Sequence, residues 1–121
     1  MQQQEPIYDM QQLKKLLGVS RSTLRSWVEH GFIQPSIYAS TCTSKKNLFS
    51  VCDLYRAALF KELVQMASLH RKTAGDITKK LTDKSWRDDD YAMIPLSDIS
   101  LITLNICRVR RRVYTILDIT E

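Results

Sequence analysis

Val19-Ser20-Arg21-Ser22-Thr23-Leu24-Arg25-Ser26-Trp27-Val28-Glu29-His30-Gly31 constrains this chain more than any other stretch. Ser20 is a good N-cap, because its hydroxyl can accept from a free backbone N–H of the first turn. Leu24, Trp27 and Val28 recur at i, i+3 and i+4, which predicts one buried face. Arg21, Ser22 and Arg25 are left on the opposite side. Gly31 supplies the residue that can turn left-handed and end the helix. A helix over 20–29 with an apolar rear and a basic, hydroxyl-rich front can enter a major groove and reach base edges and phosphates.

The stretch just before it has a matching form. Asp9, with Gln12 three residues on, is a capping box that opens a helix. Leu13, Leu16 and Leu17 face inward, Lys14 and Lys15 face water, and Gly18 closes it. Only Val19 separates Gly18 from the Ser20 cap. Two short helices across so tight a turn make a helix-turn-helix. Ile7-Tyr8 reads as a very short strand, and residues 1–6 as a flexible tail.

Residues 34–49 have no helical period and are rich in Ser, Thr and β-formers. They predict a hairpin, with strands near 36–39 and 46–49, that forms a wing beside the helix-turn-helix. Lys45 and Lys46 are placed to touch phosphate there, and Tyr38 either packs or contacts the backbone. Ser50-Val51-Cys52-Asp53 is a second capping box. The helix behind it runs to about Met66, with Val51, Leu54, Tyr55, Ala58, Leu59 and Leu63 on one face. A further helix is expected over 70–82, carrying Ala74, Ile77 and Leu81 inward.

Asp83-Lys84-Ser85-Trp86-Arg87-Asp88-Asp89-Asp90 reads as an acidic linker between the head, 7–82, and a small module, 91–121. In that module 91–96 and 99–104 are strand-like and suggest an antiparallel hairpin, with Pro95 at an edge or bulge. Asn105 can cap a last helix over 106–118, with Val109, Val113, Ile116 and Leu117 in one stripe and Arg108, Arg110, Arg111 and Arg112 beside it. That helix can cover the hairpin, pair with its twin in a dimer, or lie on an anionic surface. A two-stranded hairpin alone is marginal in water and needs a partner, so hairpin plus helix is the expected dimerisation module. The fold class is therefore mainly α with small β elements.

Bulk properties narrow the partners. A net charge of +5 and a pI near 9.2 favour polyanions. Cys42, Cys52 and Cys107 are odd in number and widely spaced, which fits reduced thiols and neither a disulfide framework nor a Cys-x-x-Cys site. His30 and His70 stand alone, so no metal and no cofactor are expected. No Ser-His-Asp or Cys-His set and no glycine-rich phosphate loop is visible, which argues against an enzyme. No apolar run reaches the ~18–20 residues that span a bilayer, and Met1-Gln2-Gln3-Gln4-Glu5 lacks the regions of a signal peptide. A cytoplasmic protein without a membrane partner is expected.

The run from Ile7-Tyr8 through Leu13-Lys14-Lys15-Leu16-Leu17-Gly18-Val19-Ser20, then Thr23-Leu24-Arg25-Ser26-Trp27 and Gly31-Phe32-Ile33-Gln34-Pro35, resembles the MerR family of transcription regulators. Phe49-Ser50 and Asp53-Leu54 match the family's entry to the helix after the wing. The likeness covers about residues 7–81. It departs at Lys46-Asn47, where members carry a Tyr-Arg pair, and it lacks the long coiled-coil helix by which many members dimerise. The resemblance implies a winged helix-turn-helix that binds double-stranded DNA as a homodimer and distorts a promoter, with RNA polymerase as a further partner. On this reading Arg21, Ser22 and Thr23 reach base edges. Arg25, Ser20, Tyr38, Lys45 and Lys46 are candidates for the backbone. Trp27 is either core or a DNA contact. Excisionase-like architectural proteins and chaperone-linked modulators share parts of this head, so an architectural protein and a protein-binding adaptor are the alternatives.

Overall fold

A computed structural model of the protein describes residues 7–37 and 47–117. The tail 1–6, most of the expected wing, with Tyr38, Lys45 and Lys46, and residues 118–121 lie outside the described residues. The order of elements is α1 (Met10–Leu17), α2 (Arg21–Glu29), α3 (Val51–Gln65), α4 (Arg71–Lys79), α5 (Asp83–Asp88), β1 (Tyr91–Pro95), β2 (Leu101–Asn105) and α6 (Ile106–Leu117). The described chain is mostly helical with one small antiparallel sheet, as its hydrophobic periods predict.

The caps read from the sequence are present. Asp9 Oδ1 accepts from the Gln12 N–H at 2.9 Å, and the Gln12 side chain accepts from the Asp9 N–H at 2.9 Å. Gly18 sits at φ 65° and ends α1. The Lys61 ammonium of α3 donates to the Leu17 carbonyl and satisfies another acceptor at that end. Tyr8 exchanges two backbone hydrogen bonds with Phe49, 2.9 and 2.8 Å, which fixes the entry of the chain beside the entry of α3.

Helix α3 is the axis of the core. The sequence predicts one apolar face. The structure instead surrounds the helix, burying Cys52, Leu54, Tyr55, Ala57, Leu59, Phe60 and Leu63, while Val51 and Ala58 stay half-buried. Helices α1, α4, α5 and α6 all contact it, so residues on several of its sides meet apolar neighbours. Helix α4 is shorter than the expected 70–82. It ends at Lys79, and Leu81 is buried just beyond it.

Residues 83–90, expected as a linker, fold instead. Thr82 caps α5, its hydroxyl accepting from the Ser85 N–H at 3.2 Å. Trp86 is fully buried with its ring 5.7 Å from Tyr55. One large aromatic outweighs the surrounding charges, because burying it removes far more apolar surface from water than any neighbour. Arg110 of α6 then donates to the Trp86 and Asp89 carbonyls, 2.8 and 2.6 Å, and lies 3.3 Å from an Asp90 oxygen. An arginine expected beside the apolar stripe thus closes the end of α5.

β1 and β2 pair from Tyr91↔Asn105 to Pro95↔Leu101. Leu96 N–H donates to Ser100 O at 2.9 Å, so by alternation the nitrogen of Pro95 faces the free edge, where a missing donor costs no ladder bond. Ala92, Ile94, Ile102 and Leu104 form the inner face of the hairpin. Asn105 caps α6 by accepting from the Arg108 N–H at 3.0 Å. The inner stripe of α6 is Ile106, Val109, Val113 and Tyr114. Ile116, expected to be inward, is exposed.

Candidate nucleic-acid interface

Helix α2 is held from behind. Leu24 and Trp27 are buried, and the Trp27 ring meets Phe60 of α3 edge-on at 5.1 Å. The Phe32 ring stacks on Phe60 at 5.5 Å and on His30 at 5.9 Å. Gly75 of α4 lets Phe32 approach, since a Cβ there would lie 3.2 Å from the Phe32 ring. The end of α2 is a Schellman turn. Gly31 takes φ 76°, its N–H donates to the Val28 carbonyl, and the Phe32 N–H donates to the Trp27 carbonyl, each at 3.0 Å. His30 Nδ1 donates to the Ser26 carbonyl at 2.7 Å, a second closure that the sequence reading missed.

The front of the helix is open. Ser20, Arg21, Ser22 and Arg25 are exposed, and with Ser26 and Glu29 they line one shallow depression. Ser20 Oγ accepts from the Thr23 N–H at 3.1 Å and donates to Thr23 Oγ1 at 2.8 Å. Its hydroxyl is therefore spent on the cap, while Thr23, half-buried, keeps its own proton to give. Arg25 and Glu29 face each other at 4.0 Å, each side chain 67% exposed. An i,i+4 pair so open to water holds Arg25 only weakly. The free N–H groups of the first turn add a partial positive charge beside Arg21.

The wing is anchored at its base. Asp53, buried in the first turn of α3, gathers the Ser36 N–H at 2.9 Å, the Ser36 hydroxyl at 2.5 Å and the Ser50 N–H at 2.9 Å on one oxygen. Arg56 approaches its other oxygen at 3.3 Å and continues to the Leu81 carbonyl and to Asp83, 3.1 and 2.6 Å. The Ile37 N–H donates to the Leu48 carbonyl at 3.2 Å, which sets the two wing strands side by side at their base.

A family model for the MerR helix-turn-helix family of regulatory proteins matches residues 8–80. The chain belongs to the MerR family. Its members are DNA-binding transcription regulators, and the match covers α1, α2, the wing, α3 and α4. No curated protein sequence matches the chain.

Within this MerR head the structure brings Ser20, Arg21, Ser22, Thr23 and Arg25 together on α2. Trp27 does not join them. It is 4% exposed and belongs to the core, which corrects its place among the candidate DNA contacts. Its spacing with Leu24 was the signal for this. Among the described residues no cluster of His, Cys, Asp and Glu could hold a metal ion, and no helix is long and apolar enough to cross a membrane.

Proposed function

We propose that the protein is a dimeric, sequence-specific regulator of transcription that reads double-stranded DNA with α2. Arg21, Ser22 and Thr23 meet base edges in the major groove. Arg25, Ser20 and the wing residues Tyr38, Lys45 and Lys46 meet phosphates on either side. The module 91–121 joins two heads and sets their spacing on the operator.

The observation that carries this reading is the division of α2 into two faces. Leu24 and Trp27 are locked into the core while Arg21, Ser22 and Arg25 stand in solvent on a helix with a polar cap and a rigid end. Preorganised helices of this kind lose little freedom on docking, and a bidentate arginine–guanine pair gives roughly 1–3 kcal/mol of base discrimination.

The test is selection of fragments from random DNA by the purified protein, followed by binding of the selected sequence. Arg21→Ala changes the preferred sequence. Lys45→Ala weakens all sequences alike. Affinity falls steeply with salt, by roughly one power of salt concentration for each phosphate neutralised. If both substitutions leave affinity and preference unchanged, α2 and the wing are not the DNA surface. A protein-binding adaptor held by apolar contacts would show no such salt dependence.

A further inference from the structure

The hairpin of β1 and β2 has two apolar faces, and the protein fills only one. Ala92, Ile94, Ile102 and Leu104 turn toward the body. On the other face Tyr91 and Met93 are 63% and 70% exposed, and Leu101 is 58% exposed. Leu96 at 44% and Ile99 at 96% extend the patch to the tip. Scattered exposed apolar residues are ordinary, but a contiguous patch on one sheet face marks a surface built to be covered.

Charge narrows what covers it. Residues 88–107 hold four aspartates and no lysine or arginine in a chain of net charge +5. Nucleic acid and anionic lipid are thereby disfavoured on this face. The hairpin is also polarised along its length. Asp98 is exposed at the tip, and Arg108 is exposed at the far end, three residues after β2. A two-fold axis across the strands sets the tip of one hairpin over the base of another. Each Asp98 then meets an Arg108, and the apolar faces meet between them. A patch complementary to itself under a two-fold is what an isologous dimer needs.

We infer that the outward face of the hairpin, centred on Met93 and Leu101, binds the same face of a second copy of this chain, with Asp98 of each copy against Arg108 of the other. The inference deepens the two-headed reading above, resting on it for the use of the dimer and not for its geometry. The contact is face to face. Pro95 removes a donor from the β1 edge, which blunts edge-to-edge pairing there.

Sedimentation velocity of the full chain over a range of concentrations tests this. The wild type is a dimer. Met93→Lys with Leu101→Lys, both on the exposed face, leaves circular dichroism and melting unchanged and raises the dimer dissociation constant by about 100-fold or more, because each change acts twice in a two-fold contact. Asp98→Arg weakens the dimer, and adding Arg108→Asp restores it. A wild type that stays monomeric overturns the inference, as does a double-lysine variant that dimerises as well as the wild type. An Asp98→Arg dimer that Arg108→Asp fails to rescue overturns the proposed register. DNA selection by the same samples separates the two readings. A dimer of this geometry that selects no DNA leaves the inference standing and sinks the regulator. A monomer that selects DNA does the reverse.

Discussion

The Tyr55 hydroxyl donates to the Tyr114 hydroxyl at 2.8 Å, and this bond ties the central helix of the head to the last helix of the chain. The two rings meet nearly edge-on at 6.1 Å, and Trp86 of α5 lies against the other side of Tyr55. Head and hairpin module therefore share one aromatic core.

Alkaline pH should loosen that core. Burial, then the bond to Tyr114, pushes the Tyr55 phenol well above its ordinary value near 10. Burial raises the Tyr8 phenol and the Cys52 thiol as well. An acid whose pKa is higher folded than unfolded stabilises the fold fully below its unfolded pKa, and that stability is lost as pH rises toward the folded value. The denaturant midpoint should hold up to about pH 8, then fall through pH 9 to 11 as the ordinary thiol and phenol values are passed. Tyr55→Phe should lower stability near neutral pH by about 1 kcal/mol and flatten the alkaline fall.

Removing the anchor of the wing should cost both stability and binding. Asp53 accepts two backbone N–H groups, from Ser36 and Ser50, and also holds Arg56. Asp53→Ala should destabilise the fold by about 1–3 kcal/mol, the range for leaving buried donors unpaired. Limited proteolysis should then cut first within residues 34–49, and DNA affinity should drop although no DNA-facing residue has changed. Asp53→Asn, which keeps the acceptor oxygen, should recover part of both losses.

Glu29 should restrain DNA binding. It lies on the same exposed face as Arg25, 4.0 Å from it, where it competes with phosphate for the guanidinium. Glu29→Gln should raise DNA affinity a few-fold at low salt, with the gain fading as salt screens the face. Arg25→Ala should lower affinity and reduce the salt slope by about 1, the loss of one phosphate contact. Equilibrium titrations at several salt concentrations read both effects.

What could be read from the sequence was what depends on neighbours along the chain. The caps at Asp9, Ser20, Ser50 and Asn105, the left-handed glycines 18 and 31, and the hydrophobic periods of α1 and α2 all act within a few residues, and all are in the structure. The misreadings concern distant partners. The charges of residues 83–90 hid the single tryptophan that folds them, because Trp86 is decided by Tyr55, far away in the chain. Arg110 looked like a flanking charge until α5 placed two carbonyls within its reach. The basic front of α2 was legible for the opposite reason, since what touches nothing in its own chain is set by local periodicity alone.

Trp27 separates the two kinds of residue on α2 most sharply. Its ring packs on Phe60 at 5.1 Å and is 4% exposed, so its work is to seat the helix. Trp27→Ala should cost about 3–5 kcal/mol, in line with other large-to-small changes of buried aromatics, enough to unfold a domain of ordinary stability. Trp27→Phe is the informative variant. It keeps the apolar contact while removing the second ring, and it should lower the denaturant midpoint while the folded fraction binds DNA with wild-type affinity and preference. Arg21→Ala should show the mirror image, an unchanged midpoint with altered preference, because an exposed arginine without a buried partner contributes little to the fold. Measuring both properties on both variants tells core from contact. A Trp27→Phe protein with wild-type stability and lost DNA affinity would return the tryptophan to the interface.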